Sequence, residues 1–221
     1  MDYILFYVSF LNLSNMSEKL FLYPTWIRAW HGLNAILCLC LIITGLSLQY
    51  SSPEGAVIIR FDIAVNLHNI SGVILSLSYI LFLFGNMIKP NGDHYKFKFK
   101  GFLMDVFTQF KYYALDVYRG VKPPFPITEK SKFNPLQKFV YLGIMYIFIP
   151  IVIITGWILI FPDFFQDQVF GAESTHVFDL FHLITGFFIS LFMLIHIYFC
   201  TLGSTVFSNF RSIINGWHET H

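Results

Sequence analysis

The sequence predicts an all-α integral membrane protein, a four-transmembrane-helix bundle with cytoplasmic interfacial helices, in one domain spanning residues 1–221. Three observations predict it. Hydrophobic residues make up 56% of the chain and charged ones only 12%, against about 25% charged in soluble domains. Four apolar stretches are long enough to cross hydrocarbon, which takes about 20 residues in a helix. Lysine and arginine gather in one connecting segment rather than spreading along the chain.

The stretches run over about 23–50, 62–88, 136–161 and 175–207. The N-terminal run Tyr3 to Leu13 is too short to span and reads as an interfacial segment. No signal peptide with a small-residue cleavage site precedes span one, so that span is expected to direct its own insertion. Ten of the fourteen Lys and Arg residues lie from Lys89 to Lys138, in the segment between spans two and three and at the mouth of span three. The opposite side has Arg60 alone, among Glu54, Asp163, Asp167 and Glu173. The excess of cations marks the cytoplasmic side. The N-terminus, the loop 89–135 and the C-terminus are therefore expected there. Net charge is +1, so no global field draws nucleic acid, and no nucleic-acid partner is expected.

That loop is too long to be structureless in a compact protein. Phe102 to Tyr118 sets Phe107, Phe110 and Tyr113 among Asp105, Lys111 and Asp116, which reads as a helix lying on the membrane surface. Pro123, Pro124 and Pro126 are expected to end it. The tail Phe207 to Trp217 reads as a second short interfacial helix. A solvated loop is the alternative for both.

Cys38, Cys40 and Cys200 lie in apolar runs and form no C-x-x-C pair. Neither a thiolate metal site nor a covalently attached cofactor is indicated. Histidine is more informative. His31, His68, His182 and His196 fall inside the spans, where ionisable residues are costly and usually functional. One such histidine is explained by a hydrogen bond to a neighbouring helix. Four at two depths are not. His196 follows His182 by fourteen residues, about 21 Å along the axis and about 1400° of rotation, some 40° short of four full turns. Both therefore face the same side of span four, one near each membrane face. By depth, His68 pairs with His182 on the outer side and His31 with His196 on the cytoplasmic side.

Each pair offers two axial imidazoles to one metal. Two histidines without carboxylate or thiolate suit structural zinc poorly, since zinc wants four protein ligands. Haem iron brings four nitrogens of its own and needs only the axial two. Gly72 follows His68 by four residues and Gly186 follows His182 likewise. A glycine one turn from a ligand leaves room for a flat ring on that face; close helix packing in lipid is the competing explanation. With both axial positions filled, such a site transfers electrons and binds no substrate at iron.

These features resemble the bacterial di-haem cytochrome b family, the membrane subunits of nickel-iron hydrogenases, formate dehydrogenase and thiosulfate reductase. The carrying residues are Arg28-Ala-Trp-His31 with Thr44-Gly45, His68-Asn-Ile-Ser-Gly72, Asn134-Pro-Leu-Gln137-Lys138, Thr155-Gly156, His182, and His196-Ile-Tyr198. The resemblance runs from about Tyr23 to Gly216, and the loop form is nearest the thiosulfate reductase type. It implies two haem b groups in the bacterial inner membrane, and menaquinone or ubiquinone as substrate. The implied partner is an iron–sulfur or catalytic subunit of a respiratory oxidoreductase on the periplasmic side. A free-standing di-haem quinone oxidoreductase is the alternative. A cofactor-free anchor or transporter is disfavoured, because the span interiors lack charged residues. The resemblance also puts quinone beside His196 and Asn134. Gln137 stands at the same mouth of span three, where both side chains can also cap the helix, with Pro135 at its first position. Leu136 stands where some relatives carry glycine, which would reshape that pocket. Arg28, one turn before His31, is expected to meet a haem propionate or to anchor the membrane edge.

Overall fold

The structure is a computed structural model that describes residues 19–219, apart from 52–54, 56–57, 89, 97–98, 165–167, 170–171 and 204. The N-terminal run Tyr3 to Leu13 lies outside the described residues. A short strand β1 (Lys19–Phe21) leads into α1 (Thr25–Tyr50), and α2 (Phe61–Ile88) returns. A 3-10 turn over Pro90–Tyr95 leads to α3 (Phe99–Lys111), then α4 (Pro135–Ile160) crosses again. A two-stranded hairpin, β2 (Gln168–Val169) and β3 (Ala172–Glu173), precedes α5 (Ser174–Cys200), with α6 (Ser208–Asn215) and β4 (Trp217–Glu219) at the end. Among the described residues, α1, α2, α4 and α5 are long and apolar enough to cross a membrane. Only 6–33% of the residues in their most apolar stretches are buried within the protein. The remaining apolar surface is matched to lipid.

The four spans form two hairpins, α1 with α2 and α4 with α5, joined where α2 meets α4. Lipid tails are as apolar as leucine, so hydrophobicity alone does not drive helices together there. Small residues and hydrogen bonds do. Ser71, Ser76 and Ser78 line the buried side of α2. Trp30 Nε1 donates to the Ser78 carbonyl at 3.1 Å, and Asn34 Nδ2 to Ser78 Oγ at 2.7 Å. Trp157 Nε1 donates to Ser76 Oγ at 3.1 Å and ties the second hairpin to the first.

Span three is not a uniform helix. Residues Ile144–Phe148 widen into a π-turn, in which the Ile149 N–H reaches back to the Ile144 carbonyl. Pro150 is the cause. Its ring would collide with a preceding carbonyl, and it has no N–H to offer. The π register bypasses the collision but leaves the Met145 carbonyl without a helical donor. Tyr79 on α2 supplies one, its hydroxyl donating to Met145 O at 2.9 Å.

The first and last described segments and the long loop gather at one end of the bundle. β1 and β4 pair antiparallel, with Leu20 opposite His218. Arg28 Nη1 donates to the Ile214 carbonyl at 2.7 Å, and Lys138 Nζ to the Lys96 carbonyl at 3.0 Å. Gly216 makes the strand pairing possible, with φ +92° and a Cβ position only 2.9 Å from the Tyr23 carbonyl.

Two expectations need correction. Span four ends at Cys200 rather than 207. A Cβ at Gly203 would overlap Ser208 Oγ, so the chain turns tightly there, and the tail helix starts at Ser208. The surface helix over 102–118 is present, continued from α3 by Tyr112–Asp116 and Val117–Arg119. It ends at Gly120, left-handed at φ 70°, before the prolines are reached.

Replacing Tyr79 by Phe leaves the Met145 carbonyl unbonded in an apolar interior. The expected loss is about 1–3 kcal/mol of stability, read as a lower unfolding midpoint in detergent, with the helical content of the folded protein unchanged.

Candidate functional site: two histidine couples

The four span histidines meet in the two couples that their spacing implies. The ring centres of His68 and His182 are 6.1 Å apart, and those of His31 and His196 are 6.3 Å apart. A metal with an imidazole nitrogen about 2 Å away on each side, and about 1.1 Å from each nitrogen to its ring centre, sets centroids about 6.2 Å apart. Direct hydrogen bonding would bring the rings closer. Among the described residues, no three His, Cys, Asp or Glu side chains gather as a bare-ion site. Each couple thus fits a metal that carries its own equatorial ligands, as haem does.

The outer couple is oriented by threonine. Thr44 Oγ1 lies 2.9 Å from His68 Nδ1 and 2.7 Å from the Cys40 carbonyl. A hydroxyl has one proton. It goes to the carbonyl, so the oxygen accepts from the ring, and Nδ1 carries the hydrogen. Thr155 repeats this, with His182 Nδ1 at 3.0 Å and the Ile151 carbonyl at 2.8 Å. Each hydroxyl also lies 3.2 Å from a second helical carbonyl, Leu41 for Thr44 and Val152 for Thr155, so its proton is directed into its own helix. The tautomer assigned by this network leaves Nε2 of both rings with a free lone pair. Metal-binding histidines are oriented in this way.

Glycine shapes both sides of the couple. A Cβ at Gly156 would stand 3.2 Å from His182 Cε1, and one at Gly45 would stand 3.4 Å from His68 Cε1. The Thr-Gly pairs therefore let α1 and α4 approach the imidazole edges closely. Gly72 and Gly186 are different: a Cβ there would meet nothing within 4 Å. The space beside each outer ligand is open, as a flat ring requires.

The inner couple is held by aromatic rings. Phe192 stacks on His196 at 5.5 Å, and Tyr141 stands edge-on at 6.0 Å. Cys200 Sγ approaches His196 Nε2 at 3.8 Å.

Residues 22–216 match the family described as prokaryotic cytochrome b561. The chain belongs to that family. It is also 34% identical over 203 residues to "Putative cytochrome YdhU" of Escherichia coli (strain K12), covering 91% of this chain and 76% of that protein. No solved structure matches. The family binds haem b, and this member is a multi-pass membrane b-type cytochrome of electron transfer.

The other expected site residues of this cytochrome lie at the loop end. Asn134 and Gln137 form a reciprocal cap, Gln137 N–H donating to Asn134 Oδ1 at 2.9 Å and Asn134 N–H to Gln137 Oε1 at 3.1 Å. The remaining donor of Asn134, Nδ2, reaches the Tyr113 hydroxyl at 3.0 Å. Burial raises the Tyr113 pKa. Its ring packs on Phe199 at 5.4 Å, one turn beyond His196. Arg28 is occupied by the Ile214 carbonyl and by Thr25 Oγ1 at 3.1 Å, and only its Nε is buried without a partner.

Thr44 and Thr155 were visible in sequence as repeated Thr-Gly pairs, but their role needs the cross-helix contact. Tyr113 had no signal of a role at the site, in a loop with several tyrosines.

Thr44→Val with Thr155→Val removes both acceptors at little change of volume. Loss of such an orienting partner typically costs about 10–100-fold in metal affinity. If the outer couple holds haem b, it should then surrender it to an apo-globin acceptor that much more readily, measured as haem remaining per chain. Unchanged retention would mean that the threonines do not orient the rings.

Proposed function

We propose that this cytochrome holds two haem b groups, one between His68 and His182 and one between His31 and His196. On this reading it carries single electrons across the inner membrane between menaquinone or ubiquinone and a periplasmic redox partner. The observation that carries the reading is the pair of matched separations, 6.1 and 6.3 Å, on one uninterrupted helix α5 about 21 Å apart in axial rise.

A haem with two axial imidazoles supplies a reversible one-electron iron couple with no open coordination position. The chain supplies the rest. His182 and His196 set the spacing of the two sites. Thr44 and Thr155 hold the outer imidazoles in the tautomer that presents Nε2. Gly72 and Gly186 keep the ring space clear. Phe192 and Tyr141 exclude water from the inner couple.

The lysine-rich end of the bundle is the cytoplasmic side on the positive-inside rule, with both termini on that side. The inner couple then lies next to the cytoplasm, and Asn134, Gln137 and Tyr113 stand beside it. There the Tyr113 hydroxyl and the Asn134 amide offer a quinone carbonyl its donors, with protons drawn from the cytoplasmic water. The opposite end is small. Its short connections and the β2–β3 hairpin present a docking surface, suited to an iron–sulfur or catalytic subunit of a respiratory oxidoreductase.

The test is spectroscopic. Purified protein should carry two b-type haems per chain. His68→Ala or His182→Ala should remove one of them, and His31→Ala or His196→Ala the other, leaving two distinguishable single-haem spectra. If all four variants lose the same absorbance, the pairing by depth is wrong.

A further inference from the structure

Lys132 is 4% exposed and, among the described residues, the only charged side chain so deeply buried. An ammonium carries three N–H donors. Here Nζ makes one long bond, 3.4 Å to Asn91 Oδ1, and lies 4.3 Å from the centre of the Tyr23 ring and 5.5 Å from that of Phe133. Among the described residues no carboxylate pairs with it. Burial alone pushes its pKa down to about 8. A buried cation among neutral amides and rings is one of the least favourable arrangements a fold can hold. It calls for an anion.

Its position says which one. The Phe133 ring lies 5.0 Å from Tyr141, and Tyr141 lies 6.0 Å from His196. Tyr23 stands two residues before the helix that carries His31. Two aromatic rings therefore link Lys132 to His196, and its charge acts on His31, at the end of the bundle where a group bound there must bring its charged edge out of the hydrocarbon. Haem b has two carboxylates on one edge. Arg28, the other cation near His31, turns its terminal nitrogens to the Ile214 carbonyl and Thr25 Oγ1 while its Nε is buried without a partner; Lys132, with a single long bond, is the less satisfied charge.

We propose that Lys132 is the counter-charge to a propionate carboxylate of the haem held between His31 and His196, and that it raises the reduction potential of that haem. This rests on the two-haem reading. A fixed positive charge in a low dielectric favours the electron-rich state of a neighbouring centre. Lys132 is thus a positioning and tuning residue and touches no reacting atom. A semiquinone or quinol oxyanion beside Asn134 is the rival source of negative charge.

The experiment is a spectroelectrochemical titration of the full chain, purified in detergent and extracted free of quinone. Parent, Lys132→Gln and Lys132→Arg are compared, each also in a His68→Ala background so that the inner haem is seen alone. All are expected to keep the inner haem. Lys132→Gln should lower its potential, so that the reduced-to-oxidised ratio at the parental midpoint falls about tenfold, equivalent to about 59 mV for one electron. Lys132→Arg should stay within about threefold of the parent on the same scale. Loss of the inner haem in the Gln variant with retention in the Arg variant also counts for the proposal.

Two haems with unmoved potentials in Lys132→Gln overturn it and leave the two-haem reading standing. So does an Arg variant shifted as far as the Gln variant, loss of the inner haem from both, or a shift seen only when ubiquinone-1 is added back. A parent without two haems overturns both.

Discussion

Hydrocarbon offers an imidazole nothing to bond to. Each ring nitrogen inside the bilayer must find its partner in the protein or in a bound metal, since an unpaired polar group there is heavily penalised. The outer couple meets half of that demand with threonine. The Thr44 and Thr155 hydroxyls each have a helical carbonyl as acceptor, and so turn a lone pair toward the ring. This fixes the second nitrogen as the unsatisfied one on both rings. The same contact also sets helix register, because Thr44 must lie level with His68 and Thr155 with His182. The two hairpins repeat one device, with a Thr-Gly pair on the first helix and histidine on the second.

Holding four helices together in lipid needs directional contacts, and the bundle has them where backbone groups would otherwise be orphaned. Pro150 forces the π-turn, the π-turn frees the Met145 carbonyl, and Tyr79 bonds it across the hairpin boundary. A local defect in one helix therefore becomes the link between hairpins. The buried serines of α2 act in the same way toward Trp30, Asn34 and Trp157.

What the sequence made legible follows from periodicity. Four apolar runs of membrane length, and the fourteen-residue spacing on one helix, are properties of a single element, and the couples follow from depth alone. The cap by Asn134 and Gln137 is local too, and the polar-before-proline pattern announced it. Misreadings arose where local pattern and packing part. Residues 201–207 are apolar enough to continue a helix, but Gly203 is crowded by Ser208, and the chain turns. The prolines after 122 looked like the stop for the surface helix, and a left-handed Gly120 acts first. Pro150 was a visible signal for the π-turn, although its consequence depends on Tyr79 in another span. The strand pairing of β1 with β4 and the burial of Lys132 are contacts between distant segments that no single-element pattern encodes.

The two couples differ in how they are held, and the difference has a direction. The outer imidazoles are locked by hydrogen bonds to spans packed on both sides, so their orientation is set by the rigid interior. The inner imidazoles are flanked by Phe192, Tyr141 and the Cys200 thiol, all of which tolerate small rotations. Around them stand groups that belong to the loop and the chain ends: Tyr113, Asn134, Lys132 and Tyr23. On the two-haem reading the outer site is tuned by the membrane helices, and the inner site by the loop-face residues that cover it. On the same reading a quinone would arrive at that loop face, so the adjustable site is the one that would accommodate it. On that reading the basic loop 89–135 also builds the wall of the inner site, and Lys132, the buried cation among its described residues, lies within that wall.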